Sequence, residues 1–357
     1  MEYVSGWIYQ GGEFMEGHLG YEDGIIFEVG RGLKPDSAAK GIVIPTFVNA
    51  HTHIGDSVVE DEVAGGIAEL VGPPDGLKHR VLRKTAPEEL VAGMKRAAER
   101  MFYSGIEHFC DFREGGLEGV NLLKKALSDS PLRARIFGRP GGMEYNEEEF
   151  TSLLETVDGI GLSCLSDWGE GIGKISEHTR NSCKRFALHA SERIREDIDS
   201  VLDLKPDFLI HMNEATNDDL ALCAQNDVPI VVTPRAEMFF DRVPDIPRML
   251  AAGVTVALGT DNAMLNTPHS ILREMEFAYT VSKPRGDISA SDILHMALIN
   301  PRKVLNVEYD MCLTSGTVAN FMVFALSAKN PAYTLVKRAT LRDISMVSMN
   351  GAVYTRP

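Results

Sequence analysis

The sequence predicts an α/β protein, a (β/α)8 TIM-like barrel with a small β-sandwich formed by the N- and C-terminal segments. Three observations predict it. Eight short apolar runs alternate with helical patterns between residues 41 and 310, and strands buried on both faces read as continuous apolar runs. Both ends of the chain are strand-like, and neither could bury a face alone. With 357 residues, 44% of them hydrophobic, there is enough material for a large core.

Residues 1–40 are short strand-like pieces punctuated by Gly11-Gly12, Gly17, Gly24, Gly30 and Gly32. The first barrel run is 41–48, followed by 105–110, 133–137, 158–162, 185–188, 207–210, 228–232 and 254–258. Residues 65–78, with Pro73-Pro74 and four glycines, read as a long loop after the first strand, on the face where barrel enzymes build their sites. Thr85-Ala86-Pro87-Glu88 combines a capping-box pattern with an early proline, and Gly105 is placed to end that helix. Ser291 is placed to cap a late helix that Pro301 limits. Residues 316–326 and 344–357 are strand-like, with a hairpin signal at Asn350-Gly351. The expected division is 1–45 with 311–357 as a composite β-sandwich and 46–310 as the barrel.

The net charge of −15 argues against nucleic acid or an anionic membrane as partner. Basic doublets such as Lys124-Lys125 read as solvated helix faces. No apolar run approaches the roughly 20 residues of a membrane span, and Met1-Glu2-Tyr3 does not start like a signal peptide. Five scattered cysteines without a C-x-x-C suit a reduced protein. The expected location is cytoplasmic.

Asn49-Ala50-His51-Thr52-His53 closes the first run. Residues two apart on a strand face the same side, so both imidazoles project together as ligands would. His189 ends the fifth run, His211 ends the sixth, and Asp261 follows the eighth. The ends of barrel strands are where catalytic residues collect. Neutral imidazoles with one carboxylate suit one divalent metal, Zn²⁺ first and Fe²⁺ second, and not calcium or magnesium. Glu192, three residues beyond His189, is placed to move a proton.

These motifs, with Gly253–Asp261, Asn300–Leu305 and the Asn350-Gly351 hairpin, resemble the amidohydrolase superfamily. The closest resemblance is to its mononuclear branch of cytosine, guanine and S-adenosylhomocysteine deaminases. The resemblance implies that His51, His53, His189 and Asp261 hold one metal, and that His211 polarises the leaving or carbonyl-like atom. It further implies that Glu192 protonates a ring nitrogen and Asp261 takes a proton from the attacking water. A small heterocyclic substrate and a homo-oligomer are implied in the same way. Dinuclear members carry a lysine on the fourth strand, where this chain reads Ile160-Gly161-Leu162-Ser163-Cys164. Lys174 falls in a glycine-rich stretch that reads as loop.

Two departures fall where substrate contacts form: Pro234-Arg235-Ala236-Glu237 and Asp111-Phe112-Arg113-Glu114. They make Arg113, Arg235 and Glu237 candidate specificity residues, the arginines for a carboxylate or phosphate and the glutamate for a ring N–H. Arg–Glu pairs that only brace loops are the competing reading. The expected reaction is hydrolytic deamination of a purine, pyrimidine or related heterocycle. The alternatives are ring opening of a cyclic amide, as in imidazolonepropionase, and a non-catalytic barrel acting as a binding module.

Overall fold

The computed structural model describes residues 1–169, 171–266, 269–307 and 313–355. The expected boundary at 310/311 and Cys312 lie outside the described residues. The chain opens with four strands: β1 (Glu2–Gln10), β2 (Glu13–Glu22), β3 (Ile25–Arg31) and β4 (Ala39–Pro45). A parallel series follows: β5 (Phe47–His53), β6 (Ile106–Arg113), β7 (Arg133–Gly138), β8 (Gly159–Leu162) and β9 (Arg185–Ala190). It continues through β10 (Phe208–His211), β11 (Ile230–Val232), β12 (Val256–Leu258) and β13 (Asp261–Asn262). The chain returns with β14 (Phe321–Phe324), β15 (Ile344–Met349) and β16 (Ala352–Thr355).

Strands β5 to β13 form one nine-stranded sheet with β12 and β13 at its two edges. Those edges are consecutive in sequence, and the joint between them curls the sheet back on itself. At this joint Gly259 donates its N–H to Val232 O (3.0 Å) and Thr260 donates to His51 O (2.9 Å). A Cβ on Gly259 would lie 2.9 Å from that of His51, so glycine is needed for the closure.

The two ends of the chain meet in one seven-stranded sheet, in the order β16-β15-β14-β4-β1-β2-β3. Val4, Ile8, Leu19, Val43, Phe321 and Val323 pack together on it, so each end covers apolar surface that the other would leave wet. Asn350 and Gly351 take φ of 52° and 81° between β15 and β16, the left-handed pair that a tight hairpin requires.

The run read as a single strand over 41–48 is divided. Residues up to Pro45 pair with β1 and β14, and Phe47 onward pairs with β6. Buried Arg302 fixes the junction by donating to Thr46 O at 2.6 Å. Thr85 does not cap the helix Pro87–Tyr103; Ala86 precedes it in an extended conformation, as a residue before proline prefers. Gly105 takes φ of 82° just past that helix. The late helix is capped by Ser289 in a box with Asp292, not by Ser291. Pro301 opens a new helix, Asn300–Leu305, after a π-helical turn, where its missing N–H costs little. Lys174 lies exposed on the helix Gly171–Asn181 and not in a loop. No described helix is long and apolar enough to cross a membrane.

Candidate metal centre and active site

His51 and His53 project from β5 to the same side, and His189, His211 and Asp261 arrive from β9, β10 and β13. His211 and Asp261 reach this position through left-handed backbone, φ 76° and 60°. That conformation costs of order 1–3 kcal/mol for each non-glycine residue and clusters at functional sites.

Four side chains converge. One donor atom from each of His51, His53, His189 and Asp261 lies within 4.8 Å of all the others, and all four residues are buried. The His53 and His189 Nε2 atoms are 3.4 Å apart. Asp261 Oδ1 lies 3.5 Å from His51 Nε2 and 3.6 Å from His53 Nε2. A tetrahedral ion with bonds of about 2.1 Å has donor–donor edges of about 3.4 Å. His211 is outside this group of four, with Nε2 3.9 Å from Asp261 Oδ2.

The proton positions make the same point. His53 Nδ1 faces Phe112 O at 2.9 Å and Glu114 Oε1 at 2.8 Å, and His189 Nδ1 faces Leu162 O at 2.7 Å. Both partners accept only, so each Nδ1 carries the proton and each Nε2 presents a lone pair. Two lone pairs then meet across 3.4 Å with no hydrogen between them. Neither ring nitrogen of His51 has a hydrogen-bond partner. Burial holds all three imidazoles below their ordinary range, His53 at about 3, and so neutral as ligands must be. Burial would raise Asp261, but His51, then His211 and His53, hold it well below the usual carboxylate range. The donor set therefore fits a divalent metal ion.

Beside this cluster lies a cavity lined by His53, His189, Glu192, His211 and Asp261. Burial raises Glu192, whose Oε1 is 3.7 Å from His211 Nε2. Burial would lower His211, but Glu192, then Glu237 and Asp261, push it up to about 9. Segment 65–78 contains a one-turn helix, Ile67–Leu70, and supplies Val71, Pro73 and Lys78 to the cavity wall.

The three candidate specificity residues lie elsewhere. Arg113 is buried against Asp111 (3.2 Å) and Glu114. Arg235 is held by Glu274 at 3.4 Å and lines a different depression. Glu237 turns to His211, with Oε1 2.9 Å from Nδ1, and so positions that ring. Arg113 ends β6, whereas Arg235 and Glu237 lie on the helix Pro234–Phe239 that follows β11, and a nearby charged partner claims each. Sequence reasoning missed Lys78, Arg139, Glu114 and Cys164. Arg139 directly follows β7 and Glu114 directly follows β6, so the strand-end rule that located the histidines covers both.

The sequence matches the amidohydrolase family over residues 42–354. The chain belongs to the amidohydrolase family. Hydrolysis of a carbon–nitrogen bond other than a peptide bond is the corresponding chemistry. An uncharacterised protein of Methanocaldococcus jannaschii is 36% identical over 334 residues, 85% of each chain. A 5-methylthioadenosine/S-adenosylhomocysteine deaminase of Pyrococcus furiosus is 24% identical over 399 residues, covering 98% of this chain and 93% of the relative. An adenosine deaminase from Xanthomonas campestris with bound zinc superposes with a TM-score of 0.81 at 16% identity, covering 98% and 92% of the two chains. At that identity the likeness is one of fold. This amidohydrolase thus has deaminases among both its relatives and its structural neighbours.

Proposed function

We propose that the protein is a mononuclear metal-dependent deaminase that replaces the amino group of a purine, pyrimidine or related heterocycle with oxygen. The observation that carries this reading is the convergence of four buried donor atoms within 4.8 Å, beside Glu192 and His211 on one cavity wall. His51, His53, His189 and Asp261 would hold the ion, Zn²⁺ in preference to Fe²⁺. Bound there, the ion lowers the pKa of water towards neutrality and makes it a nucleophile at ordinary pH.

The rest is the work of the chain's own carboxylates and imidazole. Asp261, ionised, accepts the proton released as water adds to the ring carbon. Glu192, raised by burial and so able to carry a proton, gives it to the ring nitrogen and draws electrons from the carbon under attack. His211, whose Nδ1 faces Glu237 Oε1 at 2.9 Å, stabilises the negative charge that develops on oxygen. Collapse of the tetrahedral carbon breaks the C–N bond: its hydroxyl proton returns to Glu192 as the C=O forms, and the proton held by Asp261 leaves with ammonia.

The deaminases among the relatives and neighbours support a nucleobase or nucleoside frame. The test is elemental analysis of purified protein, followed by an ammonia-release screen over nucleobases, nucleosides and pterin-like compounds. One equivalent of zinc or iron with ammonia release is expected. Metal-loaded protein that opens cyclic amides and releases no ammonia from any amino-heterocycle would replace this reading with the ring-opening one.

A further inference from the structure

Arg139 lines the same cavity as His53, His189 and Glu192 and is 4% exposed. Among the described residues its side chain makes no hydrogen bond or ion pair, and Nε is buried without a partner. Burial pulls the guanidinium below arginine's ordinary value. A buried cation without a partner is costly, and structures keep one only where something compensates it. Lys78, 3% exposed, reaches the cavity from segment 65–78 with Nζ 2.8 Å from Glu114 Oε1. The same Glu114 also serves Arg113 and lies 2.8 Å from His53 Nδ1. The third cation of the wall, Arg193, is already paired with Asp167 at 3.3 Å. Among the described residues of the wall, Lys78 and Arg193 are thus ion-paired and Arg139 is not, although Asp167, Glu192 and Asp261 line the same wall.

We infer that Lys78 and Arg139 form an anion subsite, and that the substrate is a heterocycle bearing a carboxylate. This deepens the deaminase reading and rests on it for the ring. The planar fork of Arg139 suits a planar carboxylate, while Lys78 supplies a point charge from the first turn of the helix Leu77–Lys84. The carboxylate recognition that the sequence suggested for Arg113 and Arg235 belongs to Arg139 instead.

The probes are nicotinate and nicotinamide, which are nearly isosteric and differ in charge, titrated calorimetrically into purified metal-loaded protein. Nicotinate is expected to bind at least about tenfold tighter, and Arg139→Met and Lys78→Met each to cut that ratio by about tenfold. Arg139→Lys should keep part of the preference. Arg139→Met should also raise Tm, because it removes an unpaired buried charge, whereas loss of a purely structural arginine would lower it. Equal affinity for the two probes overturns the inference. So does a preference that survives both methionine variants unchanged, since the carboxylate would then be held elsewhere. Should Arg139→Met not fold, Arg139→Lys and Lys78→Met carry the same comparison. Binding, not turnover, is read, so failure to release ammonia from any heterocycle would remove the deaminase reading and leave this result standing.

Discussion

Replacing Gly161 with alanine tests whether the barrel interior fixes the metal ligands from below. Gly161 is buried on β8, and a Cβ there would lie 2.6 Å from Phe112 Cδ2, roughly 0.8 Å short of the 3.4 Å at which ordinary contact begins. Phe112 is fully buried and has no free direction to move. Its ring meets His51 edge-on with centroids 4.6 Å apart, meets His189 at 5.4 Å and stacks on Phe137 at 5.6 Å. The added methyl therefore pushes through the phenyl ring onto two of the four proposed metal ligands. Overpacking of this kind costs about 1–3 kcal/mol, which for a chain of this length is a Tm decrease of about 1–4 °C. Metal retention should suffer more, because disturbing the support of a ligating histidine typically costs about 10–100-fold in affinity. The assay pairs thermal unfolding with metal content after competition against a chelator. Wild-type Tm together with wild-type metal retention would refute the reasoning, since the ring would then have room that the structure denies it.

His189→Ala should abolish metal content and turnover together while leaving the circular dichroism spectrum intact, because only one of four donors is removed and the barrel strand remains. Glu192→Gln should retain the metal and lower kcat by at least about 100-fold, the usual worth of a positioned proton donor; equal metal content and near-normal kcat would exclude the role given to it. Asp219 is held at about 2 by its hydrogen bond with Arg195, against burial and with help from Thr216, and it closes the capping box of the helix Asn217–Gln225. A carboxyl lowered from 3.8 contributes stability that is fully present above that value and is lost as pH falls through about 2. Asp219→Asn should therefore cost about 1–2 kcal/mol at neutral pH and flatten the acid limb of a urea-denaturation profile; an unchanged acid limb would show the pair to be inert.

Strand-end arithmetic was sufficient to bring together the four proposed metal ligands because the property involved is local. Two histidines spaced by one residue share a face whatever the neighbouring strand is. The division at Pro45 was not legible for the opposite reason. The run from Gly41 to Val48 is apolar throughout, and only partners far along the chain, β14 and β6, assign its halves to different sheets. The caps show the same limit on a smaller scale. Ser289 and Ser291 both satisfy the composition rule, and the reciprocal bond with Asp292 decides between them.

The arginines carry this furthest. Whether a strand-end guanidinium remains free for a substrate anion depends on which acids can reach it first. Arg113 stands between Asp111 and Glu114 in sequence and is claimed by both. Arg235 is claimed by Glu274, 39 residues away, which no local reading supplies. Arg139 sits in Gly138-Arg139-Pro140-Gly141-Gly142, where the nearest downstream acid is Glu144. The acids whose charge acts on Arg139, Glu114 and Asp167, come from other strand ends and neither is hydrogen-bonded to it, so the freedom of its fork is set by the fold, as the capture of Arg235 is.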